Sequence, residues 1–187
     1  MRRAVFLDRD GTLNVDTGYV TQPDAVRLAP AAAEGALLLA KAGYLLVVAS
    51  NQSAIARGMI TPEQADAVDR RVAELMHLQG VVLERFYRCP HLPEGSVAEF
   101  AVECDCRKPK PGLFVRAASE LGIDLERSWV VGDRVRDIQA GLAAGCRTIA
   151  VRSAGPAHAE EFMQFPAGTL HAKTLVEAAQ IILKSPR

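Results

Sequence analysis

Apolar positions along the chain come in two alternating lengths. Short runs at Ala4–Leu7, Leu45–Ala49, Trp129–Val131 and Thr148–Val151 read as buried strands, and Phe86–Arg88 as a further one. Between them lie longer segments with helical spacing, at Ala31–Ala42, Pro62–Leu78, Pro111–Leu121, Asp137–Ala144 and Leu175–Leu183. Strands alternating with helices in this way predict an α/β fold, a Rossmann-like parallel sheet flanked by helices, because parallel strands need a crossover that packs back on the sheet. Punctuation agrees with the pattern. Thr61 stands as an N-cap ahead of Pro62 and Glu63, and Gly43, Gly80, Gly122 and Gly145 follow the expected helix ends. No repeat, low-complexity run or linker interrupts the rhythm, so residues 1–187 are expected to form a single domain. The exception is Cys89–Lys110, rich in cysteine and proline, which reads as an inserted loop with its own organiser.

Composition narrows the classes of function. The 187 residues are 49% hydrophobic and 24% charged, the balance of a globular domain. Lys and Arg number 22 against 22 Asp and Glu, and aromatics are 5%. A globally basic nucleic-acid binder and a base-stacking platform are therefore not expected. The Gly35–Ala49 stretch is broken by Lys41 and Gly43, and the N-terminal apolar run ends at Asp8, too short for a leader. These features predict a cytoplasmic protein without membrane contact, its four cysteines free or metal-bound. Nothing in the sequence requires more than a monomer.

In open parallel sheets ligands sit beyond the carboxyl ends of the strands, so the residues after each apolar run carry the chemistry. Asp8-Arg9-Asp10-Gly11 follows the first run, Ser50-Asn51-Gln52-Ser53 the second, and Gly132-Asp133-Arg134-Val135-Arg136-Asp137 a later one. Arg107-Lys108-Pro109 precedes a helix. Asp8, Asp10 and Asp133 offer the hard oxygen ligands that Mg²⁺ takes. A carboxylate also serves as a nucleophile toward phosphorus, provided that cations screen its repulsion with the phosphate, and Lys108 is the candidate cation beside Mg²⁺. Ser50, with turn N–H groups near Asn51, is placed to hold a phosphate oxygen. A lone Asp-x-Asp-Gly would signal only a turn; four such segments in order signal a site.

FLDRDGTLN, SNQS, RKPKPG and VVGDRVRDIQAG together resemble the ordered signatures of the haloacid dehalogenase-type phosphohydrolases, from Val5 to about Val151. The resemblance implies that Asp8 is the nucleophile and that Asp10 is the general acid and then the base. It implies Ser50 and Lys108 as phosphate anchors, and Mg²⁺ held by Asp8, the Asp10 carbonyl and Asp133, with Asp137 ordering the surroundings. Such proteins often carry a cap domain. The stretches between Asp8 and Ser50 and between Ser50 and Lys108 are already spent on core elements and the cysteine loop, so no cap is expected.

Substrate choice then falls to loops. Contacts are expected from Asp16, Thr17, Gly18 and Tyr19, from Ser50, Asn51, Gln52 and Ser53, and from Arg107, Lys108 and Arg134; Arg136 is expected at a solvated helix start. Cys89-Pro90-His91 and Cys104-Asp105-Cys106 pair ligand side chains at i and i+2, where extended backbone points them the same way. The four suit a closed tetrahedral Zn²⁺ site that orders a loop lacking a core of its own. Cys146 falls outside the pattern and is expected in the core. CPHLPEGSVAEF, CDCRKPKPG and DTGYV resemble a branch of the family that acts on a sugar bisphosphate, whose second phosphate Arg107 and Arg134 would meet. Ser50 stands where many of that branch have Thr, Arg134 where Lys is usual, and Ala54 where Gly is common. Phosphatases of histidinol phosphate, with a similar loop, are the alternative, and a zinc-loop binding module on a phosphatase scaffold is the non-enzymatic one.

Overall fold

The computed structural model describes residues 1–152 and 165–185. Six strands, β1 (Ala4–Leu7), β2 (Leu45–Asn51), β3 (Arg85–Cys89), β4 (Trp129–Gly132), β5 (Arg147–Val151) and β6 (Leu170–Ala172), pair in the order 3-2-1-4-5-6. Every pairing is parallel, with Val5 opposite Leu46 on one side of β1 and opposite Trp129 on the other. Among the described residues five α-helices cover the sheet: α1 (Ala32–Lys41), α2 (Pro62–Leu78), α3 (Gly112–Leu121), α4 (Val135–Ala143) and α5 (Leu175–Lys184). None of the described helices is long and apolar enough to cross a membrane.

Strand alternation splits the core in two. Val5, Leu7, Leu46, Val48, Val131 and Ile149 point to the face covered by α1, α2 and α5. Ala4, Phe6, Val47, Ala49 and Val130 point to the face covered by α3 and α4, where the rings of Phe6 and Phe114 meet edge to face at 5.1 Å. Cys146 is buried on this second face, as its place after a helix predicts. Because both faces are covered, these strands read as unbroken apolar runs.

The predicted elements are present within a residue or two, and each difference has a local cause. β2 runs on to Asn51 because its polar end still pairs with β3, Ser50 lying opposite Arg88. α4 begins at Val135 rather than Asp137, because the Asp137 carboxylate reaches back to accept the Arg134 N–H at 3.0 Å and caps the helix from inside its first turn. β6 was not predicted. Its three residues, Leu-His-Ala, are largely exposed at the sheet edge and lack any apolar run. Thr61 does cap α2, accepting the Gln64 N–H at 3.2 Å while the Gln64 side chain accepts the Thr61 N–H at 2.8 Å.

The strand order reverses at β1. The chain steps outward through β2 and β3 on one side, then returns to β4 on the other. The carboxyl ends of β1 and β4 therefore lie side by side at the sheet centre, tied by the Asp8 N–H to the Val131 carbonyl at 3.0 Å. Diverging connections leave a crevice at this point.

Candidate active site

Asp8 leaves β1 into that crevice and Asp133 leaves β4 beside it. Lys108, carried in on the loop before α3, is 2% exposed, and its Nζ donates to Asp8 Oδ1 at 2.8 Å and to the Ala49 carbonyl at 2.7 Å. The same Nζ lies 2.7 Å from Asp137 Oδ1. The loop is held by a reciprocal pair: Asn51 donates to the Lys108 carbonyl and accepts the Lys108 N–H, both at 3.0 Å. Burial disfavours the Lys108 ammonium, but Asp137 and Asp8 outweigh it and raise its pKa, so the cation persists. Asp8 is pushed up to about 6, mainly by burial, with Lys108 opposing and Asp137 adding to the rise.

Carboxylate oxygens of Asp8, Asp133 and Asp137 lie within 4.8 Å of one another. A buried trio of hard oxygens with one ammonium beside it is a donor set that fits Mg²⁺. Asp137 is close enough to join it, yet its oxygens already serve Lys108 Nζ and the Arg134 N–H. Gly132 makes that position accessible. A Cβ there would lie 2.4 Å from Asp137 Oδ2.

Asp10 faces the other way. Its carboxylate accepts from Arg9 Nη2 at 2.9 Å and Nε at 3.2 Å, from Asn14 Nδ2 at 2.9 Å and from Gln52 Nε2 at 2.7 Å. Burial alone would raise its pKa; the Arg9 charge and these hydrogen bonds overcome that and hold it below the usual carboxylate range. Gln52 Nε2 also donates to Ser50 Oγ at 2.7 Å, linking the ends of β1 and β2.

Asp8, Asp10, Ser50, Gln52 and Lys108 open onto a cavity of about 400 Å³. Of the substrate contacts expected from sequence, Asp16, Gly18, Tyr19, Ser50, Asn51, Gln52, Ser53, Arg107, Lys108 and Arg134 line it, with Asp8 and Asp10. Thr17 is exposed beside it and is not among the lining residues. Arg134 is 4% exposed and engaged, its Nη2 2.5 Å from Asp16 Oδ2 and its Nε 3.2 Å from Asp133 Oδ2. Arg107 Nη1 donates to the His91 carbonyl at 3.0 Å, so the cysteine loop places it. Two further guanidinium groups, Arg57 and Arg136, also line the cavity. Arg57 was missed because it follows the second strand at a distance no motif fixes. Arg136 is solvent-exposed as expected, but its helix starts at the cavity mouth. A larger hollow of about 560 Å³ lies between α2 and β3; Asp8, Asp10, Lys108 and Asp133 do not line it, so size does not mark the site.

Cys89, His91, Cys104 and Cys106 converge beside the cavity. Neighbouring ligand atoms are 3.3–3.8 Å apart: Cys106 Sγ to His91 Nδ1 3.3 Å, Cys106 to Cys104 3.4 Å, Cys89 to Cys104 3.6 Å and Cys89 to His91 3.8 Å. A tetrahedron with Zn–S bonds of about 2.3 Å has edges of about 3.8 Å, so four ligand atoms at this spacing suit Zn²⁺. The neighbouring Cys89, His91 and Cys104 pull the Cys106 thiol down to about 5, against a burial that raises it.

A family model described as HAD-hydrolase-like matches residues 105–178. The chain is 46% identical over 158 residues to the D-glycero-beta-D-manno-heptose-1,7-bisphosphate 7-phosphatase of Yersinia pestis, covering 84% of each chain. With the enzyme of that name from Escherichia coli K12 it is 44% identical over 154 residues, 82% of this chain and 81% of the relative. Among solved structures, D,D-heptose 1,7-bisphosphate phosphatase from B. bronchiseptica, complexed with magnesium and phosphate, superposes with a TM-score of 0.85. It is 31% identical, and the match covers 97% of this chain and 98% of that one.

Proposed function

The chain belongs to the heptose bisphosphate phosphatase family of HAD-like hydrolases, and from that premise we propose that it removes the C7 phosphate of D-glycero-β-D-manno-heptose 1,7-bisphosphate. On this reading the step belongs to the supply of activated heptose for lipopolysaccharide. The observation that carries the reading is the Asp8–Lys108–Asp137 cluster beside Asp133, at the floor of a cavity lined by Arg57, Arg107, Arg134 and Arg136. The floor is built to meet one phosphate and the walls to meet a second.

Asp8 attacks the C7 phosphorus in line, forming a carboxylate–phosphorus bond as the bond to the sugar oxygen breaks. Asp10, which becomes protonated as it leaves its Arg9, Asn14 and Gln52 donors for the substrate, gives that proton to the leaving oxygen. Asp10 then takes a proton from water, whose oxygen attacks the phosphorus, and the bond to Asp8 breaks to release inorganic phosphate. Lys108 and Ser50 hold the non-transferring oxygens. Asp8, Asp133 and the Asp10 carbonyl would hold Mg²⁺, which would supply positive charge against the repulsion between nucleophile and phosphate. Cys89, His91, Cys104 and Cys106 would hold Zn²⁺, which would order the loop that carries Arg107. The enzyme acts as a cytoplasmic monomer on a dissolved sugar.

Histidinol phosphate, with a cationic amine in place of a second phosphate, matches an arginine-lined cavity poorly. A phosphate-release panel with the β and α heptose 1,7-bisphosphates, fructose 1,6-bisphosphate and histidinol phosphate tests the reading. The β-heptose bisphosphate is expected to give the highest kcat/KM; a preference for histidinol phosphate overturns the substrate and leaves the chemistry standing. No release from any of them with Mg²⁺ present returns the molecule to a binding module.

A further inference from the structure

Arg9 is 1% exposed, and its guanidinium meets two carboxylates from opposite sides. Nε and Nη2 grip Asp10, while Nη1 donates to Asp69 Oδ1 at 2.7 Å. Asp69 belongs to α2, where it is buried in the turn after Val68. Its other oxygen accepts from Arg88 Nη1 on β3 at 2.8 Å, and Arg88 Nη2 donates to Asp66 at 2.6 Å near the surface. Charge therefore alternates outward along Asp10, Arg9, Asp69, Arg88 and Asp66. Asp69 and Arg88 do not line the cavity at the strand ends; they line the separate hollow between α2 and β3.

Every side chain bonded to the Asp10 carboxylate is a donor: Arg9, Asn14 and Gln52. To reach a leaving oxygen Asp10 must give up part of that grip. Arg9 would then be a buried cation without a counter-ion, a state that buried pairs resist strongly, were Asp69 not still bonded to it. Arg88 in turn keeps Asp69 neutralised, so the inner four groups sum to zero charge with Asp10 ionised.

We propose that Asp69 is a positioning residue for the phosphatase reaction: it holds Arg9 in place whether or not Asp10 leans on it, and so lets Asp10 move between Arg9 and the leaving oxygen. The proposal rests on Asp10 being the proton carrier. It differs from a purely structural tie between α2 and the sheet, because only the steps that use Asp10 depend on it.

Asp69→Asn and Asp69→Glu, with Asp10→Asn as reference, are compared on the heptose bisphosphate and on p-nitrophenyl phosphate by stopped flow. Nitrophenolate leaves without a proton, so Asp8 is phosphorylated without help from Asp10, whereas hydrolysis of the aspartyl-phosphate still needs Asp10 as base. Asp69→Asn is expected to lower kcat on the sugar roughly 10- to 100-fold with KM changed less than about threefold. On the aryl phosphate it is expected to give one rapid equivalent of nitrophenolate per chain followed by slow turnover, and Asp69→Glu to recover most of the loss. Wild-type kcat in Asp69→Asn overturns the proposal, as does loss of the burst in step with turnover, the mark of a generally disordered site. If Asp10→Asn turns over like wild type, the proton-carrier reading itself has failed, and that variant alone reports it. Should Asp69→Asn not fold, Arg88→Gln is expected to give the same burst and slow phase in weaker form, and wild-type kinetics there overturn the proposal equally.

Discussion

At the scale of single residues the site is a problem of buried charge. Asp8, Asp133 and Asp137 come close enough to share one cation, and Lys108 is the cation that the chain itself provides. Asp8→Asn is expected to leave the fold intact and to lower kcat by about 10⁴-fold or more, since the proposed nucleophile has no substitute; steady-state assay beside circular dichroism checks both halves. Lys108→Met leaves Asp8 and Asp137 facing each other unpaired in a buried site. It is expected to cost about 3–5 kcal/mol in urea denaturation as well as turnover. Gly132→Ala puts a Cβ 2.4 Å from Asp137 Oδ2, so the carboxylate must leave either Lys108 or the Arg134 N–H. A kcat loss of roughly tenfold is expected, with no change in bound zinc. Asp8, Asp10, Lys108 and Asp133 were legible in the sequence, because each stands right after an apolar run or right before a helix. The bonds among them were not, because partners such as Lys108 and Asp8 are far apart along the chain.

The elements divide the labour. Strand ends supply fixed carboxylates, helix starts supply N–H groups, and the Cys89–Lys110 loop supplies Arg107 through the His91 carbonyl. The proposed zinc on the Cys/His cluster would couple that loop's order to a metal, because the loop places few apolar side chains in the core. Cys104→Ser is expected to lower the bound zinc well below one per chain by atomic absorption and to reduce Tm by several degrees. It is expected to raise KM through the displaced Arg107 more than it lowers kcat. The pairing of Cys-x-His with Cys-x-Cys was readable in one dimension, since i and i+2 share a face of extended chain. β6 was not readable, because a three-residue edge strand takes its form from its neighbour β5 and carries no hydrophobic pattern of its own. The start of α4 was misplaced for a related reason. Asp137 marks the helix, but it caps from within the first turn.

For the whole molecule, zero net charge conceals segregation: Arg57, Arg107, Lys108, Arg134 and Arg136 all line one cavity at the centre of the sheet. Arg57→Ala is therefore expected to raise KM for the bisphosphate roughly tenfold and for a sugar monophosphate less than about threefold, a split read from parallel Michaelis curves. Sequence by itself determined the alternation of strands and helices, the order of the chemical segments and the residue types of the two clusters proposed to hold metals. Those are properties of neighbours along the chain, set by backbone period and side-chain chemistry. The tertiary structure decided which groups share a charge. Arg134, expected to greet substrate directly, is already engaged by Asp16 and Asp133; Arg57 arrives unannounced and Arg136, expected only in solvent, lines the cavity; and Asp10 leans on Arg9, which leans on Asp69 from another helix. Such pairings follow from the strand order 3-2-1-4-5-6, which brings distant segments together at one switch point where burial makes every unpaired charge expensive.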